Sequence, residues 1–478
     1  MKDNTQNRIT DAPSALLAAL MGALLTGFMW RLRGDHGFGG STGMYAVLTV
    51  LLLFLVWLFP RKDKVNLPFI TLASFAGAIT AGGWGTINSQ ITGWMTSTGA
   101  FLGEEKAVDI AVSPLAGVIT MLLLGFGWLP LFGMMLGQYF SDRKYHILNA
   151  VEGTAVFYAA SYLFRFTGAP YLYKLINPTA VKLFEDGLAS YGIEQTPQSL
   201  LLKFFGDQSK KVKYLLDGET LKIKIKEIPG GRNYFTCCAV LAAAFGALAL
   251  IVYLALRFRD KKAAGITALT CSAMAVSITV PDVFFLIGAW GESGKIAVPQ
   301  ALIENSWSFW EYGTGFLFGL LIVLLLLPFA KQKLKNNVTL FELKGLPKVL
   351  KKIVAVLAFA CTFCLAPVLA VASRMDEMSE KAVLPATVAA AVIGVGLTVL
   401  FTVKNKKTLS PLGKTPAQAA RTACPILFAV YALLYFFIGP AYALHQPQSA
   451  VTSLMMFSFA LFCLGYVLLS ALLRKKTK

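Results

Sequence analysis

The chain has 478 residues, of which 56% are apolar by type and only 14% are charged, against about 25% charged in an ordinary soluble domain. Lys and Arg outnumber Asp and Glu by 44 to 25, a formal net charge of +19. This composition excludes a disordered chain and an ordinary soluble enzyme. It also assigns the basic excess to membrane orientation rather than to nucleic acid.

Apolar stretches long enough to cross a hydrocarbon core of roughly 30 Å recur along the whole sequence. They predict about twelve spans, at 13–30, 42–59, 67–88, 111–139, 148–165, 233–256, 263–289, 309–330, 352–373, 382–403, 422–443 and 450–473. The first apolar run is long and no small-residue cleavage site follows it, so it is read as a retained span. The connections alternate in charge. Those at 61–64, 142–144, 257–262, 331–352, 404–421 and 474–478 are rich in Lys and Arg, whereas the short ones between them carry few basic residues. Basic loops stay on the cytoplasmic side. Both termini are therefore expected there, and the short loops and absence of a targeting peptide point to a bacterial cytoplasmic membrane.

The expected fold class is an all-α polytopic membrane protein of about 12 transmembrane helices, with a small α+β extracytoplasmic insertion between helices 5 and 6. Residues 1–176 form an N-terminal bundle of about five spans, 177–232 the cap, and 233–478 a C-terminal bundle of about seven. Within the cap, Val181, Phe184 and Leu188 have helical spacing. Thr196-Pro197 reads as an N-cap followed by a first-turn proline, opening a helix through Phe205. Asp217-Gly218 is a hairpin turn, followed by alternation of Leu221, Ile223 and Ile225 with lysines. The near-balanced charge of this cap excludes a polybasic nucleic-acid platform. A lid, a stabilising insertion and a docking face for a protein partner all fit it.

Polar chemistry enters at three outer positions. Arg31, Arg33, Gly34, Asp35, His36, Gly37, Gly39 and Gly40 join the first two spans as a glycine-rich turn. Successive N–H groups there would form an anion nest, and arginine forks suit carboxylate or phosphate. The plainer reading is a tight turn whose arginines snorkel to headgroups. At 81–94, Gly82, Gly83 and Gly85 weaken the third span where Trp84, Asn88 and Gln90 bring hydrogen-bonding groups and an aromatic ring. Broken backbone at that depth is tolerated where protein buries it or water lines it; close packing through small residues is the alternative. Glu311 enters the eighth span among Trp307, Trp310 and Tyr312, either desolvated by them or exposed on the rim.

Two acids lie deeper, Asp282 beside Pro281 in the seventh span and Glu152 early in the fifth. An acid inside a span is a functional-site hypothesis by default. The seven cysteines fall in apolar segments, and Cys361 and Cys364 have the spacing of a redox or metal pair without a partner cluster. The three histidines fall on different loops. No metal site and no cofactor are expected.

Two classes of function follow. The first is a secondary transporter of a small anionic or polar solute, with Arg31, Arg33, the glycine nest, Trp84, Asn88 and Gln90 binding it, and Asp282 and Glu152 carrying a coupling proton. The second is a membrane-embedded transferase or hydrolase acting on a lipid-linked or cell-envelope substrate. There His36, Asp35 and Glu311 would be the acid–base groups. A structural membrane subunit with the cap as its docking surface is a third reading. Besides the lipid bilayer, the expected partner is the small-molecule or lipid-linked substrate, with no nucleic acid.

Overall fold

A computed structural model of the chain describes residues 9, 11–35, 41–60, 67–80, 114–216, 218–292, 294–330, 416–433, 435–436 and 450–475, with isolated positions between 347 and 361. In chain order the elements begin with α1 (Ala12–Asp35), α2 (Ser41–Leu58), α3 (Leu67–Thr80), α4 (Pro114–Trp128), α5 (Pro130–Phe140) and α6 (Ile147–Thr167). The insertion follows with α7 (Ala169–Ile176), α8 (Pro178–Ser190), α9 (Pro197–Lys203), β1 (Lys211–Leu216) and β2 (Glu219–Lys224). The chain then returns through α10 (Gly231–Arg257), α11 (Lys261–Thr279), α12 (Val283–Glu292), α13 (Gln300–Glu304), α14 (Ser306–Ala330), α15 (Pro416–Leu433) and α16 (Ala450–Lys475).

Five of these helical runs are long and apolar enough to cross a membrane: Ala12–Arg33, Gly231–Arg257, Lys261–Glu292, Ser306–Phe329 and Ala450–Leu473. Leu115–Trp128 and Pro130–Phe140 make a sixth if taken together. Their outward faces are apolar as well. Leu163 on α6, Leu248 and Leu256 on α10, and Phe457, Leu464 and Val467 on α16 are all exposed. In water such a surface would be an aggregation liability; against acyl chains it is the expected lipid face. The chain is an α-helical, multi-pass membrane protein. Most of the expected spans 352–373 and 382–403 lies outside the described residues.

The stretch read as one span at 111–139 is instead a broken pair, bent by 51° between α4 and α5. Pro130 has no N–H for the carbonyl one turn back and its ring crowds that turn, which is enough to kink a helix. A second break occurs in the seventh span, where a 3-10 turn at Val280–Asp282 separates α11 from α12 around Pro281.

Hydrogen bonds sort the connections into two ends of the bundle. At one end Tyr139 Oη donates to the Phe59 carbonyl at 2.5 Å. Ser141 Oγ and Tyr145 Oη both donate to Asp260, whose other oxygen accepts from Ala263 N–H and caps α11. Lys262 lies 3.8 Å from Asp142. The ends of α2, α5 and α10 therefore meet the starts of α6 and α11. By helix direction, the end of α1, the insertion, the Pro281 break and the start of α14 lie at the opposite end.

The insertion has its own core, in which Tyr173, Phe184, Leu188, Leu200, Ile225 and Tyr234 are buried. Thr196 Oγ1 accepts from Ser199 N–H and caps α9. The hairpin pairs Leu216 with Glu219 and Lys211 with Lys224. Gly218 in its turn has φ +83°, a conformation glycine adopts without Cβ strain; Asp217 lies outside the described residues.

Candidate functional site

The closest helix pairing joins α1 to α14. A Cβ on Gly319 would strike the Gly22 carbonyl and Thr26, and one on Gly315 would strike Thr26 and Trp30. Gly315-x-x-x-Gly319 facing Gly22-x-x-x-Thr26 is the small-residue pattern that lets two membrane helices approach backbone to backbone. That contact fixes where the charged residues go.

Arg31 and Arg33 do not lie in an interspan turn. α1 continues through them to Asp35, and they are only 7% and 2% exposed. Neither snorkels to the headgroups. Arg31 Nη1 donates to Glu311 Oε2 at 2.5 Å, from the last turns of α1 to the second turn of α14. Glu311 is 3% exposed, so it is not an exposed rim carboxylate either. Helix continuation keeps the backbone hydrogen-bonded where water is scarce, and the ion pair offsets part of the desolvation of both charges. Gly34 and Asp35 close the helix at backbone level.

Arg33 points elsewhere. Its guanidinium carbon lies 5.3 Å from the Trp30 ring centre and 5.7 Å from that of Trp128, and the two indoles stack at 6.1 Å. It also lies within electrostatic reach of Glu311, so this carboxylate sits in the field of two guanidinium groups. Trp128 is the last residue of α4, at the bend. Its carbonyl accepts from Thr80 Oγ1 at 2.7 Å, tying the end of α3 to the break. From Trp128 to Ser141 the chain rises about 20 Å at 1.5 Å per residue, so the Arg33 stack lies well away from the Asp260 end, toward the end of the bundle at which α1 finishes.

Asp282 sits at the second break and is fully buried. Oδ1 accepts from Trp310 Nε1 at 2.6 Å, while Oδ2 has no hydrogen-bond partner among the described residues. Trp310 precedes Glu311, so adjacent residues of α14 engage Asp282 on one side and Arg31 on the other.

Glu152 stands apart. It is exposed on α6 near the Asp260 end and accepts from Tyr253 Oη at 2.8 Å and from Asn149 Nδ2 at 3.4 Å. His36, Gly37, Gly39, Gly40, Trp84, Asn88 and Gln90 lie outside the described residues, and of Asp35 only the backbone is described. Sequence reasoning missed Trp128, Thr80 and the positioning role of Trp310. The helix-breaking Pro130 and the Gly315–Gly319 spacing were signals present in the sequence and not used. Among the described residues no group of three His, Cys, Asp or Glu side chains could hold a metal ion.

No protein-family model matches the chain, and no curated protein or solved structure resembles it at a significant level.

Proposed function

We propose that this chain is a secondary transporter that moves a small anionic or polar solute across the cytoplasmic membrane, coupled to protons. One observation carries the proposal: a buried arginine, Arg33, stacks on Trp128 at the junction of two half-helices. Discontinuous helices that meet at a charged residue are a recurring element of substrate sites in secondary transporters. In this reading the solute's anionic group competes with Glu311 for Arg31 and Arg33. Exchange of the Arg31–Glu311 contact for a solute contact would bias the α1–α14 interface between two arrangements. Asp282, buried beside a proline break, takes the coupling proton, and Glu152 serves the opposite end.

The transferase or hydrolase alternative needs Glu311 as a free acid–base group, and its engagement with Arg31 does not favour that role. The same proposal includes twelve spans, the bacterial cytoplasmic membrane, cytoplasmic termini and an external cap. It draws on the clustering of Arg143, Lys144, Arg257, Arg259, Lys261 and Lys262 near Asp260, the side on which basic residues are retained.

The test is purified protein in proteoliposomes, assayed for uptake of phosphate, sulfate and small carboxylates under an imposed proton gradient. Concentrative uptake of one of them, lost in Arg33→Gln, is the expected result. Folded protein that moves none of them, with or without the gradient, would refute the proposal.

A further inference from the structure

A second feature adjoins the Trp128 bend through Thr80, a cavity of about 210 Å³ between α3, α6 and α10, below the insertion. Its apolar wall includes Phe157, Ala239 and Ala243, and Tyr158, Ser161 and Arg165 supply polar groups. Arg165 stands two residues before the end of α6. Its Nη2 donates to the Gly206 carbonyl at 3.0 Å, and its buried Nε has no hydrogen-bond partner among the described residues. Among those residues no carboxylate lies within ion-pair distance of it. A Cβ on Gly206, whose φ is +76°, would collide with the guanidinium, so a glycine is needed for the insertion to hold this arginine in place.

The hydroxyls in the cavity have the opposite polarity. Ser161 Oγ donates to the Phe157 carbonyl at 2.7 Å and Tyr158 Oη to the Ile79 carbonyl at 3.2 Å. Their protons are committed to backbone, so both oxygens face a ligand as acceptors. The cavity thus presents a cationic fork for an anion, acceptors for a donor group, and an alanine-rich wall beside Tyr162, which is 54% exposed.

We propose that this cavity binds the headgroup of an anionic glycerophospholipid, its phosphate on Arg165 and its glycerol hydroxyls on Tyr158 and Ser161. Basic pockets between membrane helices take lipid headgroups in this way, and arginine matches phosphate as a planar fork. The apolar wall receives the start of the acyl chains. Free phosphate shares the anionic chemistry, and its own P–OH can donate to a hydroxyl acceptor, but it leaves the alanine wall unused. The site shares Thr80 with the Trp128 bend but makes no use of Arg33, and it stands whether or not the chain is a transporter.

The experiment is native mass spectrometry of full-length, delipidated protein titrated with phosphatidylglycerol, phosphatidylcholine or inorganic phosphate. One phosphatidylglycerol per chain should be retained preferentially over phosphatidylcholine. Arg165→Gln should weaken it about tenfold or more, the scale of a lost charge-assisted hydrogen bond. Ala239→Phe fills the cavity without changing charge and should do the same, which covers the case in which Arg165→Gln loosens the insertion. Lys174→Gln, at an exposed position of α7, should leave binding unchanged. Competitive displacement by inorganic phosphate would support the anion site and assign it to free phosphate. Equal retention of both lipids unaffected by Ala239→Phe, or an equal loss in Lys174→Gln, would overturn the proposal.

Discussion

The Glu311 carboxylate and the Arg31 guanidinium meet at 2.5 Å across the α14–α1 interface, with side chains only 3% and 8% exposed. Removing one member of such a pair strands a buried charge, which typically costs about 3–5 kcal/mol. Glu311→Leu and Arg31→Met should each destabilise on that scale, whereas the Arg31→Met, Glu311→Leu double variant should recover part of the loss, Arg33 remaining without its carboxylate. Thermal unfolding in detergent, arranged as a double-mutant cycle, checks this. Additive losses would mean the two side chains are not coupled.

The same interface predicts a contrast between two glycines. Gly319→Ala places a methyl against the Gly22 carbonyl and should cost about 1–3 kcal/mol by overpacking. A Cβ on Gly265, in α11, meets nothing within 4 Å. Gly265→Ala should therefore be neutral or stabilising by up to about 1 kcal/mol, from helix propensity. Melting temperatures of the two variants should move in opposite directions or differ clearly.

Asp282 yields a prediction that separates folding from coupling. Asparagine keeps an oxygen for Trp310 Nε1 and cannot ionise, so Asp282→Asn should fold normally, bind solute and lose proton-driven uptake. Trp310→Phe removes the one donor on Asp282 Oδ1 recorded among the described residues and should destabilise by about 1–3 kcal/mol. Uptake measured with and without a proton gradient, alongside solute binding, checks the first; unchanged gradient dependence in Asp282→Asn would remove Asp282 from the coupling path.

The insertion should loosen only in acid. Asp207 accepts from the Ser209 hydroxyl at 2.6 Å and the Ser209 N–H at 2.9 Å, and these bonds hold its carboxyl below the ordinary range. A depressed carboxylate contributes stability above its unfolded value, lost as pH falls through the folded value. Hydrogen exchange at 204–210, corrected for intrinsic rates, should be flat through neutrality and rise only at acidic pH. Asp207→Asn should already exchange faster at neutral pH and lose the acid-dependent rise.

Much of the fold was legible because its signals are local. Hydropathy marks the helices that cross, Thr196-Pro197 marks the start of α9, and Gly218 marks the hairpin. The charged cluster was not legible in the same way. Arg31 and Arg33 beside glycines look like a turn, and only Glu311, 280 positions away, together with the glycine contact of α1 and α14, makes it favourable to bury them in a helix. Glu311 and Asp282 could be singled out as acids near spans, but Trp310, which separates their partners, belongs to an aromatic run that reads equally well as interfacial. The bend at Trp128 was hidden by averaging hydropathy across Pro130. Local composition identifies that a charge is unusual; pairing it requires the tertiary contact.

The most direct measurement is the two-sided accessibility of the bend. Trp128→Cys, in a chain whose native cysteines have been replaced, is treated in sealed membranes with a membrane-impermeant thiol reagent added from one side or the other. Alternating access predicts labelling from both sides, with solute and proton gradient shifting the balance between them. Labelling from the cap side alone, unchanged by any solute or gradient, would contradict transport and leave a pit closed at its Asp260 end.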